Sequence, residues 1–439
     1  MISPTNGQTR RDFLKTSTVA PAALTALAAG QGLHAASSDI IRVGMIGCGG
    51  RCTEAALQAM SADKGARLVA MADILMERVQ EKRKLLQAKN PEQVAVKDDY
   101  CFAGFEAYKR VIESSDVVLI ANAAKFHPWH MLAAIQAGRH VFVEKPHAID
   151  PAGIKVVQAA CQLARKKKLS VLSGLQSRFW VGYREAVERV HDGAIGDIVA
   201  IQETWLRAPY VLYARKPGLT EVEYQASNQY HFHWLSGDDV PQTLVHNLDR
   251  ASWALRGQAP VRCQGMGGRS TLRGEIYGSV FDHHAAVYEF ANGVRLYAYC
   301  RTIPDCYNEN SSIILGTKGR AFITQGRIEG ENPWRYAGPK MYSSPDLNPY
   351  QVEHNELFKA IRSGNAINSA DYMARSTLMG IMGEMACYTG KEVGWEQLTT
   401  SDFYFPPKPE EVRADMEPPV KPDGNGIYPV FTPGVTKLL

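Results

Sequence analysis

The sequence predicts an α/β fold built on a parallel sheet, and three observations lead to this prediction. Between about residues 40 and 145, short apolar runs alternate with segments of helical pattern. A glycine-rich turn follows the first apolar run, and an acidic residue ends the second. Parallel strands require crossover connections, which are usually helices and right-handed. The chain has 439 residues, which is enough for two domains.

The first predicted strand, residues 40–46, leads into a glycine turn at residues 47–52 and then a helical pattern. A strand, a glycine turn and a helix start form the context that a dinucleotide-binding fingerprint requires. Gly47 permits the tight turn, and Gly49 lets the backbone approach a pyrophosphate. Cys52 occupies the third glycine position, so the fingerprint is imperfect. The predicted cofactor-binding residues of this turn are Gly47, Gly49, Gly50 and Arg51.

The second predicted strand, residues 68–73, ends in Asp73, which lies 26 residues after Gly47. That distance suits an acid that binds the ribose hydroxyls of a dinucleotide. A carboxylate there disfavours a 2′-phosphate, so we predict NAD as the cofactor in preference to NADP. The alternative for Asp73 is a helix N-cap after a strand.

Two further predicted strands, residues 116–122 and 140–143, continue the alternation, and the second is followed by Glu144-Lys145-Pro146. Proline cannot donate to a sheet ladder, so the strand ends there. Lys145 therefore lies at the carboxyl end of a strand, where open α/β sheets bind ligands. A desolvated lysine can act as an acid or a base. The alternative is a surface ion pair, which the position after a nucleotide-binding unit disfavours.

These motifs occur together in the order found in one family. The turn at residues 47–51, Asp73, His127 and the Glu-Lys-Pro segment resemble the Gfo/Idh/MocA family of NAD(P)-dependent sugar oxidoreductases, which includes glucose-fructose oxidoreductase and inositol dehydrogenase. The resemblance extends from about residue 40 to about residue 390. It implies an N-terminal Rossmann domain and a C-terminal α+β domain with an open, mostly antiparallel sheet. It also implies cofactor contacts from Asn122, His127, Glu144 and Lys145.

The remaining sequence agrees with that two-domain arrangement. Segments of strand character lie between about residues 195 and 335, and Ala291-Asn292-Gly293 is a favourable hairpin turn between two of them. Proline is frequent after about residue 403, which predicts an extended arm. The expected domains are a signal peptide at 1–35, the Rossmann domain at 36–165, the substrate-binding domain at 166–402 and a C-terminal arm at 403–439.

A second catalytic segment is expected around His246. Members of the family commonly carry an Asp, a His four residues later and an Asp three residues after that. His246 and Asp249 match this pattern, whereas Gln242 replaces the first acid. Spacings of four and three place the three side chains on one helix face. Glutamine cannot usefully take up a proton, so acid–base catalysis falls on Lys145 and His246, with Gln242 and Asp249 binding substrate. A packed helix histidine is the alternative for His246.

Residues 230–239 combine two histidines, two aspartates and three aromatic residues. Because aromatic rings stack on the apolar faces of sugars, we predict that His233 and Trp234 contact substrate. Arg178, which follows a predicted strand, is expected to reach the same pocket. A zinc site at His231-x-His233 is the alternative. We predict no metal, because nothing nearby completes a recognised ligand pattern.

Residues 9–15, which include Arg10 and Arg11, resemble a twin-arginine export signal. The apolar run that follows is too short to span a bilayer, and cleavage is expected near Ala35. We therefore expect export of the folded protein to the periplasm or cell envelope; a disordered basic tail is the alternative. The formal charge of +4 falls to +2 without the signal, which indicates no nucleic-acid partner.

Twin-arginine export carries folded proteins, often with a cofactor already bound, and the cell envelope has no NAD pool to recycle a dissociated nicotinamide. We therefore predict an NAD(P)-dependent oxidoreductase with tightly bound cofactor, acting on a hydroxyl of a sugar, sugar derivative or cyclitol. One alternative is a redox-neutral glycosidase, lyase or epimerase that passes through a keto-sugar. The other is a non-catalytic sugar-binding protein of the envelope. The expected partners are a carbohydrate or cyclitol substrate and further copies of the chain in a homo-oligomer.

Overall fold

The computed structural model describes residues 39–439, so the predicted export signal lies outside the described residues. Two sheets organise this part of the chain. The elements of the first half are β1 (Ile41–Ile46), α1 (Gly50–Ala62), β2 (Ala66–Asp73), α2 (Met76–Lys89), β3 (Cys101–Ala103), α3 (Tyr108–Ser114), β4 (Val117–Ile120), α4 (His127–Gln136), β5 (His140–Val143), α5 (Pro151–Lys167) and β6 (Val171–Ser173).

These six strands form one parallel sheet in the order β3-β2-β1-β4-β5-β6, which confirms the predicted α/β fold. The strand order reverses between β1 and β4, so a ligand crevice opens at their carboxyl ends. Val43, Leu119 and Phe142 are fully buried in its core. We expected this domain to end at residue 165, but β6 pairs with β5 and extends the sheet to Ser173.

The second half supplies nine strands and seven helices. In chain order these are α6 (Val181–His191), β7 (Ile198–Arg207), α7 (Glu221–Ser227), α8 (His233–Ser236), α9 (Val245–Ala254), β8 (Pro260–Gly268), β9 (His283–Phe290), β10 (Arg295–Thr302), β11 (Glu309–Gly316), β12 (Gly319–Phe322), β13 (Arg327–Gly330), β14 (Trp334–Arg335), α10 (Pro349–Ser363), α11 (Ala370–Thr389), β15 (Val393–Gly394) and α12 (Trp395–Thr400).

The nine strands form a sheet in the order β14-β13-β12-β11-β7-β10-β9-β8-β15. Only β7 and β10 pair in parallel, so the prediction of a mostly antiparallel sheet is confirmed. The predicted hairpin turn joins β9 to β10, and Gly293 adopts φ +84° there. Alternate residues of β9 and β10 are buried, because helices α9 and α11 pack on one face of the sheet.

Two later segments return to earlier parts of the fold. Helix α10 packs on α1, and Leu357 and Phe358 join the core of the parallel sheet. Within residues 403–439, the only helical segment is one short 3₁₀ turn, and Phe405, Val420 and Tyr428 are buried against the rest of the chain. No helix between residues 39 and 439 has the length and apolar character needed to cross a membrane.

Candidate active site

The glycine turn after β1 forms an open cradle. Gly47 adopts φ +93°, and a Cβ there would lie 2.8 Å from the backbone nitrogen of Asn122 at the end of β4. A Cβ on Gly49 or Gly50 would meet nothing within 4 Å. Within residues 39–439, no side chain caps the first N–H groups of α1. Free N–H groups at a helix start, facing open space, are suited to bind a phosphate.

This turn lines a first cavity of about 500 Å³ at the crevice between β1 and β4. Asp73 lines it too, and its carboxylate accepts hydrogen bonds from the backbone nitrogens of Cys48 at 2.7 Å and Leu75 at 3.2 Å. The sequence did not point to Arg78, which lines the same cavity. Its guanidinium donates to the Ser227 carbonyl at 2.8 Å and lies 4.8 Å from the centre of the Tyr213 ring.

A second cavity of about 320 Å³ adjoins the first. Both proposed catalytic residues, Lys145 and His246, line it, together with Gln242. It therefore combines side chains from the end of β5, from α9 and from the turn before α9. The residues that line both cavities are Arg51, Ala121, Asn122, Tyr210, Gln229 and Tyr230.

Lys145 crosses this cavity from the parallel sheet to the segment before α9. Its ammonium nitrogen donates to the backbone carbonyl of Gln242 at 2.6 Å. The same nitrogen lies 5.9 Å from the centre of the Tyr210 ring. This contact leaves the Gln242 side chain available to a ligand, because Lys145 uses the backbone oxygen.

His246 is buried, and its Nδ1 has no hydrogen-bond partner among residues 39–439. Its ring lies 5.6 Å from that of Trp205, centre to centre. Burial holds the pKa of His246 well below its usual value, and the nearby charges of Lys145 and Arg250 act in the same direction. The imidazole is therefore neutral near pH 7, and it offers polar atoms that a substrate hydroxyl could engage.

Arg51, expected to bind cofactor, is held in an ion-pair cluster. Its Nε donates to Glu144 at 2.5 Å, a second nitrogen lies 3.8 Å from Glu353, and its guanidinium lies 4.7 Å from the centre of the Tyr350 ring. Burial alone would lower the pKa of Arg51, but the carboxylates of Glu144 and Glu353 raise it. Arg51 and Glu144 therefore form a neutral, rigid pair in the lining of the second cavity.

His127 also lines the second cavity, where it joins two segments of backbone. Its Nδ1 lies 2.7 Å from the carbonyl oxygen of Pro146, and its Nε2 lies 3.0 Å from that of Asn122. The ring thus connects the end of β4 with the turn that carries Lys145. Its contacts suit a positioning role, since both nitrogens face protein carbonyls.

Two predicted substrate contacts, Arg178 and Asp249, do not reach either cavity. Asp249 is fully buried, and Arg178 donates to both of its carboxylate oxygens at 2.9–3.1 Å. The hydroxyl of Ser376 donates to the same carboxylate at 2.8 Å. The prediction that these two residues bind substrate is therefore corrected, because each satisfies the other inside the protein.

His233 and Trp234 are also absent from both cavities, so their predicted role is corrected too. Trp234 is fully buried and donates to the Gln225 side chain at 2.7 Å. The ring of His233 packs against aromatic residues, including Phe405 and Phe431 of the C-terminal arm. His233 Nδ1 faces the Ser279 hydroxyl and His231 Nε2 faces the carbonyl of Val211, so the zinc alternative gains no support.

Several residues of the second cavity were not assigned to it from the sequence. Arg207 ends β7, and its guanidinium lies 3.5 Å from the centre of the Tyr210 ring. Tyr210 in turn stacks on Tyr230 at 4.4 Å. Trp205 points the same way as Arg207, since residues two apart on a strand share a face. No local pattern marks these positions, because tertiary contacts bring them to the cavity.

Two family models match the chain. Residues 41–174 match the model described as the oxidoreductase family with an NAD-binding Rossmann fold. Residues 183–322 match the GFO/IDH/MocA C-terminal domain. Together the two matched segments cover more than half of the sequence, and they correspond to the parallel sheet and to much of the mostly antiparallel sheet.

Proteins of similar sequence include inositol dehydrogenases and a glycosyl hydrolase family 109 protein. The chain is 36% identical over 148 residues to inositol 2-dehydrogenase 3 of Saccharopolyspora erythraea. The matched segment is 33% of this chain and only 37% of that protein. It is 24% identical over 343 residues to inositol 2-dehydrogenase of Cereibacter sphaeroides, and this match covers 74% of this chain and 87% of that protein. It is 33% identical over 121 residues to glycosyl hydrolase family 109 protein 1 of Bacteroides fragilis, and this match covers 27% of this chain and 25% of that protein.

Solved structures share the fold at lower sequence identity. A levoglucosan dehydrogenase in complex with NADH and levoglucosan superposes with a TM-score of 0.62 at 16% identity, covering 81% of this chain and 99% of that one. The aldose-aldose oxidoreductase of Caulobacter crescentus, complexed with glycerol, gives 0.59 at 20% identity, covering 81% and 99%. These similarities support the two-domain architecture alone.

Proposed function

This chain belongs to the GFO/IDH/MocA family of oxidoreductases, and from that premise we propose that it is an NAD-dependent oxidoreductase acting on a hydroxyl of a sugar, sugar derivative or cyclitol. The observation that supports this most directly is the meeting of Lys145, His246 and Gln242 in one cavity. That cavity adjoins the glycine-lined cradle. A hydride-transfer enzyme needs such a junction between cofactor site and polar pocket.

The residues of the first cavity fit a dinucleotide. The open space at Gly49 and Gly50 and the uncapped start of α1 suit a pyrophosphate. Asp73 lines the same cavity at the end of β2, where its carboxylate can accept from ribose hydroxyls. NAD, when bound, would supply the hydride acceptor for alcohol oxidation.

Lys145 and His246 are the groups that we propose for proton transfer. The Lys145 ammonium is oriented by the Gln242 carbonyl, and it can polarise the oxygen of the reacting hydroxyl and relay its proton. The neutral ring of His246 can hydrogen-bond the same oxygen or receive the proton. The Gln242 side chain would bind a neighbouring hydroxyl without taking part in proton transfer.

We propose further that the cofactor stays bound and that the protein works in the periplasm or cell envelope. The twin-arginine-like segment at residues 9–15 supports this proposal. A bound cofactor must return to its starting state in every turnover. A second substrate, or a later step on the same molecule, would then reverse the first hydride transfer.

A redox-neutral reaction is the second candidate function. Similarity to a glycosyl hydrolase family 109 protein favours it, although that similarity covers only 27% of this chain. In such a cycle, hydride transfer to NAD would oxidise a hydroxyl to a ketone and acidify the adjacent C–H bond. Loss of that proton with the leaving group would give an enone, water would add to it, and return of the hydride would restore the alcohol and NAD. Product analysis separates the two reactions, because a free aglycone indicates cleavage and an accumulated ketone indicates net oxidation.

The test begins with identification of the nucleotide that denatured protein releases. Sugars and cyclitols are then supplied without an acceptor, and nicotinamide absorbance is followed. A bound, non-exchanging cofactor gives one stoichiometric burst of protein-bound NADH, whereas steady NADH release into solution contradicts a closed cycle. A protein that neither retains nor binds NAD(H) or NADP(H) contradicts the oxidoreductase proposal.

Variants then test the proton-transfer roles. Lys145→Ala should lower turnover by roughly 10²-fold or more, because it removes a proton-transfer group, while nucleotide occupancy stays near the wild-type level. His246→Ala should be nearly as damaging. Lys318→Ala, at an exposed turn beside β12, is the matched control and should keep wild-type turnover. Wild-type turnover in Lys145→Ala would contradict the assignment.

A further inference from the structure

The second cavity carries an excess of positive charge. Three cationic side chains line it, namely Arg51, Lys145 and Arg207, against the single carboxylate of Glu144. Arg51 and Glu144 neutralise each other at 2.5 Å. Neither Lys145 nor Arg207 forms an ion pair with a carboxylate within residues 39–439. Two positive charges without a carboxylate partner in the cavity lining therefore face the space in which a substrate would bind.

Arg207 is held in place by neutral groups. Its guanidinium lies over the Tyr210 ring at 3.5 Å, and one of its nitrogens lies 3.4 Å from the Thr243 hydroxyl. Thr243 also contacts the Tyr210 hydroxyl at 3.0 Å and bonds to Asp239. Asp239 is buried and does not line the second cavity; burial raises its pKa, and the Arg207 charge lowers it. The guanidinium is thus fixed by stacking and keeps donors for a ligand.

A dinucleotide in the first cavity would not account for this charge. The glycine turn and the start of α1, where a pyrophosphate would bind, line the first cavity, whereas Arg207 and Lys145 line only the second. Lys145 and Arg207 both approach the Tyr210 ring, at 5.9 and 3.5 Å, so they share one wall of the second cavity. A neutral sugar that displaced water there would leave two cations poorly compensated, which is costly.

We propose that the substrate carries an oxyanion, a carboxylate or a phosphate, that pairs with Arg207. This inference rests on the proposed function and narrows its substrate class to sugar acids or sugar phosphates. A planar guanidinium can bind such a group through two parallel hydrogen bonds, which orients as well as attracts it. Anchoring one end of the substrate at Arg207 would determine which hydroxyl reaches Lys145. Arg207 is then a specificity-determining residue.

The experiment compares matched ligands on the NAD-loaded protein. Methyl glycosides of gluco, galacto and manno configuration are each paired with the corresponding methyl glycuronide, so each pair differs only by CH₂OH against carboxylate. The hexose 6-phosphates form the third arm. Calorimetry gives Kd, and nicotinamide absorbance reports hydride transfer in the same samples.

At least one anionic ligand should bind roughly tenfold or more tightly than its neutral partner, which is the range of one charged hydrogen-bonded contact. Arg207→Gln should bring this ratio close to one. The matched control is Arg295→Gln, which removes an arginine that is half exposed on β10 and absent from both cavities. Arg295→Gln should keep the wild-type ratio between the Kd values of the neutral and anionic ligands. A preference for glycuronides identifies a sugar acid, and a preference for hexose phosphates identifies a sugar phosphate.

Three results would overturn the inference: equal or tighter binding of the neutral member in every pair, an anion preference that survives Arg207→Gln, and no binding by any ligand of the panel. Reduction of bound NAD by neutral sugars without an anion preference would remove the inference and keep the oxidoreductase proposal. Arg207-dependent binding of an anionic sugar with no change in nicotinamide absorbance would remove the oxidoreductase proposal and keep the inference.

Discussion

Two glycines of the same turn should respond oppositely to substitution, because one is required by the fold and the other by the ligand. Gly47 has φ +93°, and its added Cβ would lie 2.8–2.9 Å from backbone atoms of Ala121 and Asn122. Gly49 has φ −83° and ψ 178°, an extended conformation that any residue can adopt, and its Cβ would meet nothing within 4 Å. Gly47→Ala should therefore damage the protein itself, whereas Gly49→Val should damage only cofactor binding.

The magnitudes follow from those contacts. A left-handed conformation costs a non-glycine residue about 1–2 kcal/mol. Overpacking against rigid backbone adds about 1–3 kcal/mol. Gly47→Ala should therefore lower the free energy of unfolding by about 2–5 kcal/mol. Gly49→Val should change the stability of the nucleotide-free protein by less than about 1 kcal/mol, because its Cβ meets nothing within 4 Å and only the N-cap preference for glycine over valine is lost.

Urea unfolding of nucleotide-free protein, repeated with added NAD, measures both effects. A ligand that binds only the folded state at 100 times its Kd stabilises it by about 2.7 kcal/mol. Wild-type protein should show such a gain, and Gly49→Val should lose most of it while keeping its nucleotide-free midpoint. An undiminished NAD-dependent gain in Gly49→Val would refute the assignment of this turn to the cofactor. Wild-type stability in Gly47→Ala would refute the clash with β4.

Two further predictions concern the cofactor and pH. Asp73→Ala should weaken the binding of NAD and relax discrimination against NADP, measured as the ratio of the Kd values for the two cofactors. Wild-type protein that copurifies with NADP alone would contradict the role of Asp73. Burial lowers the pKa of seven histidines, which therefore bind fewer protons in the folded than in the unfolded state. Burial raises the pKa of Glu203 and Glu384 to about 8, and the pKa values of Glu353 and His284 are also raised, so these four groups act in the opposite direction near neutral pH. Because the seven histidines outnumber them, the urea midpoint should fall as the pH drops from about 6 to about 5; an unchanged midpoint at pH 5 would contradict this. These histidines are His127, His130, His147, His231, His233, His246 and His354.

The parallel sheet could be predicted because its signals are local. An apolar run, a glycine turn and a helical pattern each lie within a few residues, and chain order with right-handed crossovers determines the rest. The strand expected at 40–46 spans Ile41–Ile46, and that expected at 140–143 has those bounds. The same logic placed Lys145 at the carboxyl end of β5, and Lys145 lines the second cavity.

The substrate pocket was harder to predict because its walls come from distant segments. Arg207, the last residue of β7, and Tyr210, in the loop after it, both line the second cavity, and that loop has no periodic pattern. Composition also misled the prediction for His233 and Trp234. A stretch rich in aromatic and polar residues suits a sugar site and a hydrogen-bonded core equally well, and here Trp234 is fully buried. Only the three-dimensional fold distinguishes a sugar site from a hydrogen-bonded core.

The segment around His246 brings only two of its three expected side chains to the second cavity. In a regular α-helix, spacings of four and three would align Gln242, His246 and Asp249 on one face. Residues Val240–Leu244 form a π-helical turn, whereas His246 and Asp249 both lie in the regular helix α9. Gln242 and His246 line the second cavity, while Asp249 pairs with Arg178 in the interior.

The charge balance of the second cavity follows from this arrangement. Neutral Gln242 occupies the position where the first acid was expected. The second acid, Asp249, pairs with Arg178 away from the cavity. Glu144 is engaged by Arg51. No carboxylate that lines the second cavity is therefore left to offset Lys145 and Arg207 within residues 39–439. A site built in this way gains more from a substrate that brings its own negative charge than from a neutral polyol, because the oxyanion replaces the water that both cations lose.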